Sequence, residues 1–422
     1  MQKIVCVVLL LCAFQFTKAQ TKQPITMQQA EHLFLEQNLE LVAEKYNIKM
    51  AEAERIQARL WPNPEVGIEW ALWDYEDKKW FRNDYYAQRV FEVSQLIELG
   101  GKRKKRTAVA DIDIEISGLD FYEAIRNLKT ELRSLYADTY YLNQRKNRME
   151  QGMNQLSDLL QGYTKLYQAG NFSKVELVRL RSLLSSLKKE VLTIDHELIE
   201  ANSSLRILLN APSNVEFELS LDQSEANVKF SESLKLMELM QMGLEHRSDY
   251  QVEVALSRMA SAEISLSKSE AVPDLDLGVM YDRRGAEQWD YVGLTLGFDL
   301  PVFNRNQGDI LKAKISKEQA EVNIQKAKNQ VESEILEAYS KLQKTELVCE
   351  DIESSHLSDL DEMIDGAIKG FQKRNLSIIE FIDYFEAYNE SVEDYFDMKI
   401  QLFNDVEMIN YTVGMDYSSK LN

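Results

Sequence analysis

The chain has 422 residues, of which 45% are hydrophobic and 28% charged, and its formal net charge is -20. That length and composition suit a folded protein with a large core. So large an acid excess excludes nucleic acid as a partner, which calls for a basic surface.

The first residues, MQKIVCVVLLLCAFQFTKAQ, place Lys3 ahead of an apolar run from Ile4 to Phe16 and close on the small residue Ala19. This is the pattern of a secretory signal peptide over residues 1–19. Cys12 follows Leu11 rather than a small residue, so a lipid anchor is not expected there. Cleavage would leave Cys349 as the one remaining thiol, unable to close an internal disulfide. No later stretch is apolar for long enough to predict a spanning helix. A closed β-barrel has a weaker signal and stays open as a reading.

Residues 20–209 read as a first structural repeat. Thr26 is placed to cap a helix over 26–60, with Ala30, Leu33, Leu35 and Leu39 on its apolar side. Pro62 and Pro64 stop it. Val66, Ile68, Trp70 and Leu72 then alternate with Glu65, Gly67, Glu69 and Ala71, which predicts a strand and a hairpin over 65–97. Gly100 and Gly101 let the backbone turn from strand to helix. The basic run that starts at Lys102 and Arg103 sits badly with the dipole of a helix start. Acidic lipid headgroups or a neighbour's carboxylates are expected beside it.

A long helix follows over 102–165. Leu128, Leu135, Leu142, Met149, Leu156 and Tyr163 recur at heptad spacing, the mark of a long seam against other helices. Such a helix would be about 95 Å long. Gly170 and Asn171 break it, and Ser173 with Glu176 makes a capping pattern for a return helix over 174–209.

A linker, 210–232, leads to a second repeat over 233–409. It has a helix over 233–270 that Pro273 stops, a hairpin over 274–300, and long helices over 310–369 and 378–409. A tail, 410–422, ends the chain. In the hairpin, Val292, Leu294, Leu296, Phe298 and Leu300 alternate with Gly293, Thr295, Gly297 and Asp299. Between the long helices, FQKRNLSIIEFIDY at 371–384 echoes YQAGNFSKVELVRL at 167–180. Ser377 and Glu380 repeat the cap of Ser173 and Glu176. Setting Pro64 on Pro273 also sets Ala51 on Ala260 and Ala53 on Ala262. The layout is that of an internal repeat.

The strands match the roughly 9–11 residues that cross a bilayer when tilted. Four of them cannot close a barrel, and an open edge in hydrocarbon leaves backbone groups unpaired. Several copies would have to share one wall, and three would supply 12 strands. The alternative is a soluble periplasmic adaptor or scaffold, a small sandwich on a coiled-coil stalk.

The opening Ile25-Thr26-Met27-Gln28-Gln29-Ala30, Pro62-Asn63-Pro64, Pro273-Asp274-Leu275 and the run from Leu300 to Arg305 stand in a particular order with the two turn motifs. In that order and spacing the chain resembles the TolC-like outer membrane factor family. Glu98-Leu99-Gly100-Gly101-Lys102-Arg103 is similar to the branch that serves heavy-metal exporting pumps of the cobalt-zinc-cadmium and copper-silver type. The resemblance implies a mainly α fold with membrane β: a homotrimeric outer-membrane efflux tunnel with a shared 12-stranded β-barrel and an α-helical barrel in the periplasm. It implies as partners a periplasmic adaptor (membrane fusion) protein, an inner-membrane efflux pump of the RND type, and outer-membrane lipid. It places Glu380 and Asp383 at a cation-selective constriction. The turns, with Gly170, Asn171, Ser173, Arg374, Asn375 and Ser377, would dock the adaptor. Arg374 stands where the family has a glycine, and Leu376 where some members have an arginine.

His32, His196, His246 and His356 are scattered, with no second His or Cys at ligand spacing. No nucleotide or dinucleotide motif occurs. Neither a cofactor, a protein metal cage nor an enzymatic activity is expected, and energy for transport would come from an inner-membrane partner.

Overall fold

The computed structural model describes residues 21–75, 77–221, 234–284, 288–351 and 356–417. The expected signal peptide lies outside them, as do 222–232 of the linker and 418–422 of the tail. In chain order the elements are β1 (Thr21–Thr26), α1 (Met27–Gln37), α2 (Leu39–Ala58), β2 (Glu65–Trp70), β3 (Trp73–Asp74), β4 (Lys79–Trp80), β5 (Arg89–Ile97), α3 (Lys102–Gln168) and α4 (Lys174–Leu208). There follow β6 (Val215–Ser220), α5 (Leu236–His246), α6 (Ser248–Glu270), β7 (Leu275–Arg284), β8 (Trp289–Gly297), α7 (Gln307–Asp351), α8 (His356–Gln372) and α9 (Ile378–Val413). They fall into two units: Met1–Ala43, Tyr122–Arg247 and Gln330–Asn422 form a helical unit, and Glu44–Phe121 with Ser248–Asn329 form a sheet unit.

In the sheet unit, four antiparallel strands lie in the order β2-β5-β7-β8. The register lines up apolar residues across all four. One row is Val66, Val93, Val279 and Leu294; the next is Ile68, Phe91, Tyr281 and Val292. Alternate rows hold Glu65, Ser94, Gly278 and Thr295, then Gly67, Glu92, Met280 and Gly293. A slip of one residue would mix the two faces, so the period-two pattern fixes the register. Among the described residues nothing covers the apolar face. Leu294 is 79% exposed and Val66 66%. The outer edges of β2 and β8 have no partner strand within the sheet.

The helices of this unit also carry uncovered apolar stripes. Tyr46, Met50 and Ile56 share one helical face, and Leu311, Ile315 and Val322 another. All are exposed.

The helical unit has its core in the ends of α3, α4, α8 and α9. Met149, Leu156 and Tyr163 of the heptad row are buried there. Leu180, Leu187, Phe381, Phe385 and Val392 come from the other helices. Each such side chain contributes about 1.5–3 kcal/mol when fully buried. Elsewhere in this unit, β1 and β6 pair in parallel, a contact that the sequence reading does not contain. The buried Tyr136 hydroxyl fastens the pair. It donates to the Ile25 carbonyl at 2.7 Å and accepts from the Ser220 amide at 3.0 Å.

The runs expected as single helices over 26–60 and 233–270 are each broken. Asn38 is extended between α1 and α2, and Arg247 is extended between α5 and α6. Each stands at the same distance ahead of Pro64 and of Pro273, so the break is repeated with the rest of the layout. The means differ. The Asn38 side chain accepts from the Leu41 amide and donates to the Leu208 carbonyl, both at 2.9 Å. An asparagine that offers the backbone such bonds competes with helix. Arg247 is 1% exposed, and its guanidinium pairs with Glu334 at 2.5 Å.

Candidate functional site

The two turns of the helical unit are built alike. At the end of α3, the Asn171 amide donates to the Leu166 carbonyl at 2.9 Å, across Gly170 in the left-handed conformation with φ 78°. At the end of α8, the Asn375 amide donates to the Gly370 carbonyl at 2.9 Å, across Arg374 with φ 61°. Both are six-to-one helix closures that want a residue at positive φ. Gly170 adopts it freely, whereas Arg374 takes on about 1–2 kcal/mol of strain.

Each following helix opens with a capping box. The Ser173 hydroxyl accepts from the Val175 amide, and the Glu176 carboxylate accepts from the Ser173 amide. The Ser377 hydroxyl accepts from the Glu380 amide at 3.2 Å, and the Glu380 carboxylate accepts from the Ser377 amide at 2.8 Å. Those bonds hold the Glu380 carboxyl below its usual range. Glu380 and Asp383 are both exposed, one helical turn apart on α9.

Aromatic packing joins the turns. Tyr163 lies 4.4 Å from Phe172 and 4.9 Å from Phe371, centre to centre, and its hydroxyl donates to the Phe371 carbonyl at 3.0 Å. Burial pushes the Tyr163 phenol up. Phe371 stacks on Phe381 at 4.7 Å. Leu376 packs over Gly370, where a Cβ would sit 2.9 Å from its Cδ1. Arg374 Nη2 donates to the Asn171 carbonyl at 3.0 Å. The sequence reading placed Gly170, Asn171, Ser173, Arg374, Asn375 and Ser377 at the turns; Gly170, Asn171, Ser173 and Arg374 line one cavity with Tyr163 and Phe172, two aromatics it missed as joining residues. The signal was present: an aromatic stands near each turn.

The second site, in the sheet unit, is the joint of β5 and α3. Gly100 and Gly101 have φ 69° and 74°. A Cβ on Gly100 would lie 3.0 Å from that of Val272. Asp274 accepts from the Leu99 amide at 3.0 Å and from Lys102 Nζ at 2.7 Å. Lys102 is 4% exposed, with Glu270 at 3.8 Å. Arg106 makes two bonds to Glu98, at 2.8 and 3.0 Å, and Arg103 lies 3.9 Å over the Trp61 ring. The basic run is thus not laid out toward lipid or a neighbour at Lys102. Its ends are neutralised by acids of the same chain, and Lys104 remains exposed.

Among the described residues, no group of three or more His, Cys, Asp or Glu side chains is placed to hold a metal ion. No described helix is long and apolar enough to cross a membrane, which says nothing of a β-barrel.

The model of the family "Outer membrane efflux protein" matches residues 31–211. Those residues run from α1 through the first hairpin and the α3–α4 turn. Over 368 residues, this chain is 23% identical to the cobalt-zinc-cadmium resistance protein CzcC of Cupriavidus metallidurans, covering 85% of this chain and 83% of that one. Its fold is similar to that of CusC, with a TM-score of 0.72 at 16% identity, over 92% of both chains. It is also similar to the CmeC outer membrane channel of Campylobacter jejuni, with a TM-score of 0.74 at 14% identity, over 94% of this chain and 88% of that one. These likenesses show the fold: long helices together with a short strand segment.

Proposed function

We propose that this protein is the outer-membrane channel of a tripartite efflux system, a passive duct assembled from three copies. One observation carries the reading: a four-stranded sheet with an uncovered apolar face and two open edges. In water such a sheet would aggregate, and in hydrocarbon its edges must be paired. Three copies joined edge to edge satisfy both demands with a closed 12-stranded barrel, apolar outward and polar inward. The uncovered stripes on α2 and α7 supply further contact between copies.

The long helices, with their polar outer faces, continue the duct in the periplasm. Their turns form the far end, where a periplasmic adaptor docks on Gly170–Ser173 and Arg374–Ser377. An RND-type inner-membrane pump supplies the energy. Around a threefold axis, Glu380 and Asp383 become six close negative charges that attract cations. The likeness to CzcC, a cobalt-zinc-cadmium resistance protein, supports metal cations as cargo.

The test is extraction and reconstitution. The mature protein should leave cell membranes only with detergent, run as a trimer, and conduct ions in planar bilayers. A monomer that dissolves without detergent would overturn the reading. For the cargo, deletion should lower tolerance of cobalt, zinc or cadmium; unchanged tolerance with greater drug sensitivity would overturn the metal assignment.

A further inference from the structure

The connection between β2 and β5 is too rich in chemistry for a plain strand turn. The sheet meets its helices at one end, where Ile97 faces Leu275 and Asp276 faces Gly297. The opposite end is marked by the pairs Trp70–Arg89 and Arg284–Trp289. Beyond that end lie Tyr75, Trp80, Phe81, Tyr85, Tyr86 and Trp289, all exposed, Tyr75 by 86%.

The rings are held in order rather than scattered. Tyr85 and Trp289 stack at 5.6 Å with planes 12° apart, and the Arg283 guanidinium lies 4.8 Å over Tyr85. Trp80 meets Trp73 edge-on at 5.1 Å. Beneath them, Arg82 gathers three acids. It donates to Asp74 at 2.9 Å and to Asp84 at 2.8 Å, and it pairs with Asp77. Lys78 and Phe81 sit at positive φ, a conformation that such a knot can sustain. The loop is therefore shaped, and what it presents is aromatic.

The charges decide the partner. At this end the bases Lys78, Lys79, Arg82, Arg89, Arg283 and Arg284 stand among the acids Asp74, Glu76, Asp77, Asp84, Asp282 and Asp290. A polyanion finds no net attraction there. Aromatic faces interleaved with carboxylates and cations suit a sugar, which has apolar C–H faces and a rim of hydroxyls. We propose that this ledge seats the saccharide headgroup of a glycolipid in the outer leaflet. The inference rests on the outer-membrane reading, which puts the helices in the periplasm and this end of the sheet at the cell surface.

The test uses the full chain, reconstituted in phospholipid nanodiscs. Two probes are titrated: lipopolysaccharide with its complete core sugars, and the lipid moiety stripped of those sugars. The wild-type protein should bind the complete form about tenfold more tightly. Tyr75→Ser/Trp80→Ser/Phe81→Ser should abolish that preference while ion conductance is kept. If the triple variant does not assemble, Tyr75→Ser alone should reduce the preference, since that ring is almost free of packing. Equal binding of the two forms by the wild type, or a preference that survives the substitutions, would overturn the proposal. Failure to insert into bilayers at all would instead sink the outer-membrane reading, so the two failures are distinct.

Discussion

The guanidinium of Arg374 donates a 3.0 Å hydrogen bond to the carbonyl of Asn171, tying the α8–α9 turn to the α3–α4 turn. The same residue holds a backbone conformation that glycine would take without strain. Strain and bond therefore oppose one another at a single position.

Separating them gives a first prediction. Arg374→Ala keeps the strain and loses the bond, and should destabilise the turns by about 1 kcal/mol. Arg374→Gly loses both and should be close to neutral in stability. Both variants should raise amide hydrogen exchange at residues 170–173, the partner turn. Unchanged exchange there would mean that the bond does not couple the turns.

Glu380 has two candidate roles, and one pair of variants divides them. Glu380→Gln removes the charge but can still accept from the Ser377 amide; Ser377→Ala weakens the cap but keeps the charge. Single-channel recordings should show weaker block by divalent cations for Glu380→Gln/Asp383→Asn and little change for Ser377→Ala. The reverse pattern would make the carboxylate a cap alone.

The cap has its own pH dependence. The Glu380 carboxyl is depressed from 4.5 by its bonds to Ser377, so its contribution is present above that value in the folded turn. As pH falls through the lower folded value the contribution is lost. Exchange at the Ser377 and Glu380 amides should therefore quicken below about pH 4.5, beyond the intrinsic trend, and Glu380→Gln should remove that excess.

At the joint, Asp274→Asn leaves the buried Lys102 ammonium with only Glu270 nearby. Removing one partner of a buried pair costs about 3–5 kcal/mol, and the second acid should hold the loss toward the low end. Thermal melting of the assembled protein would measure it. Lys102→Met/Asp274→Leu should recover much of the loss, because neither charge is then stranded.

The sheet faces can be told apart by charge. Leu294→Arg, on the apolar row, should cost about 2–4 kcal/mol near mid-bilayer and deplete assembled protein from membranes. Thr295→Arg, one residue on, faces the polar row and should assemble. Equal damage at both positions would contradict a lipid-facing row.

The strands and the capped turns were legible because their signals are local. Alternation along β8 and the Ser-x-x-Glu boxes at 173 and 377 are each written within a few residues. What escaped was set by partners far along the chain. Asp274 binds Leu99 and Lys102; Tyr136 fastens β1 to β6; Arg374 finds the Asn171 carbonyl. No periodicity encodes such contacts. The breaks at Asn38 and Arg247 escaped for another reason. Apolar periodicity runs on across them, and at Asn38 it is the side-chain bonds to Leu41 and Leu208 that compete with helix. Lys102 was misplaced because a run of basic residues reads as a surface, whereas the fold turns its first member onto Asp274.

The duplicated elbows have a mechanical consequence. The one at Asn38 is locked by bonds to Leu41 and Leu208, while the one at Arg247 is hitched to Glu334 on α7, the outgoing rod of the second half. A pull along α7 therefore acts on the Arg247 elbow through its bond to Glu334. The two elbows thus stand at matching places along the chain but answer to different neighbours.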